Sequence, residues 1–486
     1  MKTPLIVRIW GMEVGRLNWD FKRRTCYFQF NQDFLRTGLN LFPLVAPIEY
    51  QTIWTTHFGE EERMYKHLPS FIADSLPDAW GTQLLEIWRK EQNLAAGEVG
   101  PLESLAFVGK RAMGALEYEP ALQSIPMQEK VDVRALALLA DRIMQEREKL
   151  RINPEETITM QSLMQVGTSA GGMRPKAILA INPTTGEITS GQIADQEGFE
   201  YYILKFGDVK TQTAELEMAY YRMATEAGIR MNECRLWEVD GVQHFLTKRF
   251  DRLENGEKVH LQTIAAMRPE ANSYEDLLYV CRRLQLPQSA TDEMFARMVF
   301  NILANNTDDH KKNFSFMMTR DGKWSITPAY DLTYIFDLGG FTPLREHCFT
   351  TCGKTRGTTI EDIMSFAVEN NVRDAEGIIR RVAKAIMAFP QYAAEYGVRA
   401  EWVNRIWPVL EDNMAAWHLY LREGDSPYRL EQTYKGNYHL YVMQPDGRER
   451  RYVIRPKMAE YAEIMERGIT AIPDERFAEW IEAWQK

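Results

Sequence analysis

The chain has 486 residues, 45% of them apolar and 26% charged, and a net charge of −10. That length exceeds what one core ordinarily organises, so two or three domains are expected. The 12 Trp and 22 Phe exclude a disordered chain, and the negative charge excludes wrapping of nucleic acid by the chain as a whole. No apolar run approaches the roughly 18 residues of a membrane span, and the first residues lack the apolar core of a signal peptide. A cytoplasmic location without membrane association is therefore expected. The five cysteines (26, 234, 281, 348 and 352) form no CxxC pair and read as reduced structural thiols.

Residues 4–30 read as short strands, LIVRIW, LNW and CYFQF, joined by turns. The pattern from about 60 to 95 is helical, and ESLAFVGKRAMGALEYEP (103–120) reads as a glycine-punctuated, strand-like end to that region. PALQSIPMQEKVD (120–132) marks a boundary, followed by the amphipathic helix VRALALLADRIMQEREKL (133–150). KAILAI, YYILKF and HFLTKRF are β-prone runs between 176 and 250. Between the last two, Leu216, Ala219, Tyr220, Met223 and Ala227 recur at helical spacing, and Gly228 stands where the helix should end. Beyond 260 the chain is mainly helical. A helix is predicted to begin after Thr291, with Asp292 and Glu293 at its positive end. FSFMM, a turn at Arg320-Asp321-Gly322 and WSITPAYDL then read as a hairpin. The last 60 residues look like a small appended element, in which the basic run RERRYVIRPK (448–457) reads as a solvated strand face.

The most informative stretch is NNTDDHKKNFSFMMTRDGKWSITPAYDL (305–332). Phosphoryl transfer needs a carboxylate to orient the attacking hydroxyl, oxygen ligands for Mg²⁺ and cations on the phosphates. Asp308 follows a long helix, Asn313 comes five residues later, and a hairpin then delivers Asp331. Protein kinases keep the same order of catalytic Asp, Asn, strand pair and metal-binding Asp. The same carboxylates and His310 could instead form a metal site for hydrolysis, or a solvated acidic helix end. A second segment, VGTSAGGMRPKAILA (166–180), holds Gly167, Gly171 and Gly172 ahead of a basic residue and a strand, as a phosphate-cradling loop does. Lys205, on the strand before a helix bearing Glu217, is placed to grip phosphates with a Glu partner, and Glu215 competes for that pairing. Gly353-Lys354-Thr355 imitates a Walker loop, but Cys348 occupies the position where that loop needs glycine.

TDDHKKNF (307–314) and PAYDL (328–332) resemble the catalytic and metal loops of HipA-family kinases. The resemblance implies that Asp308 is the catalytic base and that Asn313 and Asp331 hold Mg²⁺. It puts His310 near the nucleotide and asks no role of Asp309. Within the glycine-containing loop it implies that Gly171, Gly172 and Lys176 contact ATP and that Ser169, or its neighbour Thr168, is autophosphorylated. FLTKRFDR (245–252) is similar to the family's hinge segment, which implies that Asp251 lies near the nucleotide; Lys248 stands where the family often has Glu. LPDAWG (76–81) and GKRAMGALEYEP (109–120) look like parts of the family's N-terminal accessory domain.

The expected fold is α+β: an N-terminal accessory α/β domain (1–122), a two-lobed kinase-like domain (123–425) with an N-lobe to about 255 and a mainly helical C-lobe, and an extension (426–486). The resemblance implies an ATP- and Mg²⁺-dependent serine/threonine protein kinase, the toxin of a toxin–antitoxin pair. Its protein substrate would be a translation component such as an aminoacyl-tRNA synthetase. A separate helix-turn-helix antitoxin would bring it to DNA only indirectly. A small-molecule kinase and a catalytically silent ATP-binding module are the alternatives.

Overall fold

Alternation of buried and outward side chains organises the first sheet. Leu5, Val7 and Ile9 are fully buried, with Ile6 and Arg8 on the other face. In a computed structural model, which describes residues 3–50, 52–56, 64–95, 97, 99–122, 131–146, 157–167, 174–192, 197–335, 346–419, 426–433, 436–444, 448–468 and 472–485, this strand is one of five. The antiparallel order is Ile53–Thr55, Thr25–Phe30, Met12–Asp20, Leu5–Ile9, Leu116–Glu119. Gly15 is required within it, because a Cβ there would lie 2.3 Å from the Gln29 carbonyl oxygen.

The helical stretch before residue 95 is broken in two, Ser70–Ala73 and Ala79–Glu91, with Pro77 and Asp78 between them. The second helix does not pack on the first sheet. Its Trp80, Leu84, Leu85 and Trp88 share a core with Leu136 and Leu163 and with Ala177, Leu179, Leu204 and Leu246 of the next sheet. The strand-like reading of 103–120 is half right. Pro101–Val108 is a helix, opened by Pro101 and by Glu103 reaching back to the Gly100 amide at 3.1 Å, and only Leu116–Glu119 is a strand.

The second sheet runs Ile188–Ser190, Lys176–Ile181, Glu200–Lys205, Val242–Lys248, Cys234–Val239, all antiparallel. Thr213–Glu226 lies against it and is, among the described residues, the single helix between its strands. This helix ends as its sequence predicts. Gly228 has φ +81°, and the Ile229 amide closes on the Ala224 carbonyl at 3.0 Å. Below the sheet, the helices Tyr274–Arg283, Gln288–Leu303, Ala375–Met387 and Ala400–Ala416 enclose the largest core, around Phe295, Phe300, Phe366 and Phe389. The helix expected after Thr291 starts earlier, at Gln288 behind Pro287. Asp292 therefore sits in its second turn, where it receives the Gln288 amide and the Arg373 backbone N–H. A three-stranded sheet, His260–Thr263, Ser315–Met318 and Trp324–Ile326, carries the expected hairpin. The described residues between 428 and 485 form a separate three-stranded sheet with two helices and their own core around Leu440, Ile454 and Trp480. The basic run includes its strand Glu449–Ile454. No helix among the described residues is long and apolar enough to cross a membrane.

His260 joins the hairpin sheet to the N-terminal region. Fully buried, it packs edge-on against Phe42 and Trp324, and its Nε2 donates to the Leu41 carbonyl at 3.1 Å. Its Nδ1 finds no partner among the described residues, so protonation would create a buried donor without an acceptor. Burial pushes its pKa from 6.5 down to about 4. Between those values the unfolded chain binds more protons than the folded one, so stability falls as pH drops from 6.5 to 4, by about 3 kcal/mol from this residue. Urea unfolding across that window should have a markedly flatter pH slope in His260→Gln.

Candidate active site

Two lysines open the site. Lys176 begins its strand and Lys205 ends the next, and the antiparallel register sets them directly opposite each other, on one face. Unshielded ammonium groups in that relation would repel, and three carboxylates from three different regions offset them. Lys205 Nζ lies 2.5 Å from Glu217 Oε1 on the Thr213–Glu226 helix and also pairs with Asp331. Burial opposes the charge on Lys205, but Asp331 and then Glu217 more than reverse this, so its pKa is raised. Glu217 is itself buried, which raises its carboxyl, and Lys205 draws it back. Glu215 takes no part: it accepts from Gln212 instead, at 3.3 Å.

The third carboxylate, Asp78, was not found by reading the sequence. Its Oδ2 is 3.3 Å from Lys176 Nζ. Nothing in LPDAWG separates it from an ordinary helix N-cap, a role it also fills by accepting the Gly81 amide at 2.6 Å.

Asp308 lies on the loop after the Gln288–Leu303 helix. A buried polar chain holds that loop: Asn306 donates to Asn301, Asn301 to the Tyr274 hydroxyl (both 2.9 Å), and Tyr274 to Asp309 at 2.6 Å. Asp309 also accepts from the Cys348 amide at 2.7 Å and contacts His347 Nδ1 at 2.9 Å. It is 1% exposed and committed to structure, whereas the Asp308 side chain is 39% exposed. Partial burial raises the Asp308 pKa, His310 opposes that, and Asp331 reinforces it. His310 Nε2 stands 3.7 Å from Asp308 Oδ1. Asn313 donates its amide N–H to the Asp308 carbonyl at 2.8 Å, which leaves its amide oxygen for a cation.

Asp331 is carried in by Tyr330, which bonds the Lys312 carbonyl at 2.9 Å and pairs with the Ser315 hydroxyl. Its backbone is left-handed, φ +53°, a conformation that Asp and Asn tolerate better than most residues. Burial would raise its carboxyl, but Lys205 and then Lys176 bring it down to about 2, so it is a permanent anion at neutral pH. Asp331 and Asn313 together offer the hard oxygen donors that Mg²⁺ takes, while the Asn313 side-chain N–H is tied to the Asp308 carbonyl and the Asp331 side chain to Lys205. The donor set fits the ion.

Two expectations need correction or fall elsewhere. Asp251 has no exposure and receives Arg249 twice and the Gly114 amide at 2.7 Å, and Arg252 at 2.8 Å. It is a buried anchor between the second sheet and the N-terminal region, with no face left for a nucleotide. Thr168, Ser169, Gly171 and Gly172 lie outside the described residues. Lys248, at the hinge-like segment, pairs with Glu200 at 2.6 Å.

Two family patterns match this chain. The HipA N-terminal domain covers residues 5–119 and the HipA-like C-terminal domain residues 168–389. The chain belongs to the HipA kinase family. The serine/threonine-protein kinase toxin HipA of Shewanella oneidensis is 20% identical over 362 residues, 68% of this chain and 75% of that protein. A protein of Haemophilus influenzae is 26% identical over 207 residues, 38% of this chain; the chain spans 58% of that relative's length. In fold, it is similar to the solved structure of Shewanella oneidensis HipA with HipB and operator DNA. The TM-score is 0.60 at 18% identity, covering 86% of this chain and 97% of that one. The two-lobed α+β architecture is thus that of a HipA-type kinase.

Proposed function

We propose that this HipA-family chain is an ATP- and Mg²⁺-dependent serine/threonine protein kinase. The observation that carries the reading is the convergence of Lys205, Glu217 and Asp331, from strand, helix and post-hairpin loop, next to a partly exposed Asp308. A lysine held between two carboxylates is a charged clamp for phosphate oxygens, and Lys176 opposite it supplies a second cation. Asp308, with its raised pKa, accepts a hydrogen bond from the substrate hydroxyl and takes its proton as that oxygen bonds to the γ-phosphorus and the bond from the phosphorus to the β–γ bridging oxygen breaks, releasing ADP. Mg²⁺, when bound, neutralises charge on the phosphates. Asp331 and Asn313 would hold it, and His310 would flank the nucleotide.

Functionally, residues 1–122 act as the accessory domain, 123–425 as the kinase domain and 426–486 as an extension. The Gly171–Gly172 loop would cover the phosphates, with Ser169 or Thr168 as its autophosphorylation site. The target is a protein, in the toxin reading a translation component such as an aminoacyl-tRNA synthetase, and the setting is the cytoplasm. Shewanella oneidensis HipA is seen with HipB on operator DNA, which supports a separate antitoxin here and DNA contact through that partner.

Incubation with γ-labelled ATP, Mg²⁺ and cell lysate tests the reading. Wild type should label protein, itself included, and Asp308→Asn should lower that labelling by about 10²–10⁴-fold. Equal labelling by both would refute it. Transfer to metabolites alone would make the chain a small-molecule kinase.

A further inference from the structure

We propose that Asp78, from the N-terminal region, is a positioning residue that holds Lys176 in the phosphate site. The inference rests on the kinase reading of that site and adds to it a residue outside the kinase domain. Lys176 is 2% exposed, and the start of the Ala79–Glu91 helix grips it at both ends. Asp78 Oδ2 lies 3.3 Å from its Nζ, and the Trp80 indole N–H donates to its carbonyl at 3.1 Å. The same helix also meets the other described end of the glycine-rich segment. A Cβ on Gly167 would fall 2.7 Å from the Leu84 side chain and 3.0 Å from the Trp80 indole nitrogen. One helix of the N-terminal region thus braces both flanks of the segment that runs from Gly167 to Lys176.

The charge arrangement explains why a carboxylate stands at that point. Lys176 faces Lys205 across the sheet, and Lys205 already holds Glu217 and Asp331. Removing Asp78 would throw more of the Lys176 charge onto Asp331, the carboxylate assigned to the metal and already paired with Lys205. Burial pushes the Lys176 pKa down, and Asp78 is the strongest influence pulling it back. An ammonium has three donors, so one can stay on Asp78 while the others meet phosphate oxygens. Asp78 therefore keeps Lys176 both charged and aimed, and spares Asp331 part of that second cation's charge.

Asp78 also caps its helix through Gly81, and the test must separate the two roles. In Asp78→Ser the hydroxyl still caps the helix, while the charge on Lys176 is lost. The full-length chain is compared as wild type, Asp78→Ser, Lys176→Met and the double variant. ATP·Mg²⁺ affinity is read by calorimetry, KM and kcat by phosphoryl transfer, and Tm by scanning calorimetry. Asp78→Ser should weaken ATP·Mg²⁺ binding and raise its KM by about tenfold or more, with a smaller change in kcat and little change in Tm. The alkaline limb of its pH profile should move to lower pH, because Lys176 loses the group that sustains its charge. The double variant should bind no worse than Lys176→Met. If the Ser variant does not fold, Asp78→Asn, which keeps the shape and a capping oxygen, carries the same comparison. Affinity within twofold of wild type, or losses that multiply in the double variant, would overturn the proposal. Binding is measured independently of transfer, so a chain that binds ATP through this pair yet transfers nothing would refute only the kinase reading.

Discussion

Asp331→Asn should leave the fold intact and lower phosphoryl transfer by about 10²–10³-fold. Asparagine is close to isosteric and accepts the left-handed backbone at this position, φ +53°, so the substitution removes charge without adding strain. Two functions fail together. The oxygen that would hold the cation becomes a neutral amide, and Lys205 keeps only Glu217 as its counter-charge. An alanine at the same place would add backbone strain to the lost charge and should lower Tm as well. Steady-state transfer and scanning calorimetry on both variants distinguish the effects. Full activity in Asp331→Asn would remove Asp331 from the metal site.

Asp251→Asn should act in the opposite sense, on stability rather than on catalysis. The Asp251 carboxylate is buried among Arg249, Arg252 and the Gly114 amide, and although burial raises its pKa, the two guanidinium groups hold it well below the usual carboxylate range. Neutralising it leaves two buried cations without their anion, a loss of about 3–5 kcal/mol. Arg249 and Arg252 follow the Val242–Lys248 strand of the second sheet, and Gly114 belongs to the N-terminal region. Urea denaturation should therefore show a lower midpoint, with the contact between these regions weakened first. The KM for ATP of the folded fraction should be unchanged. A raised KM with unaltered stability would return Asp251 to the nucleotide site, where the family resemblance put it.

The sequence made much of the centre legible because its spacing is local. Asp308 and Asn313 share one loop, and the hairpin that delivers Asp331 is announced by alternating apolar residues around Arg320-Asp321-Gly322. The helix from Thr213 to Glu226 was equally readable, since its apolar spacing and Gly228 both lie in one segment. Errors arose where a single residue type carried two meanings. The glycines at 109 and 114 punctuate a stretch that reads as strand-like, yet Gly109 closes the Pro101–Val108 helix. Asp292 and Glu293 suggested a first turn, yet Pro287 starts that helix earlier, and Glu293 instead pairs with Arg297.

By itself, the sequence determined the order of Asp308, Asn313 and Asp331 along the chain and the placing of Glu217's helix after Lys205. It carried no sign of which partner each charge would meet. Only the tertiary structure decided that Glu217 rather than Glu215 reaches Lys205, that Asp251 is an internal anchor, and that Asp78 comes from 98 residues away to meet Lys176. The physical reason is that periodicity and spacing report on neighbours along one element. Ion pairs across domains depend on which faces pack together, and that is settled by the shared core that sets Trp80 and Leu84 against the strands bearing both lysines.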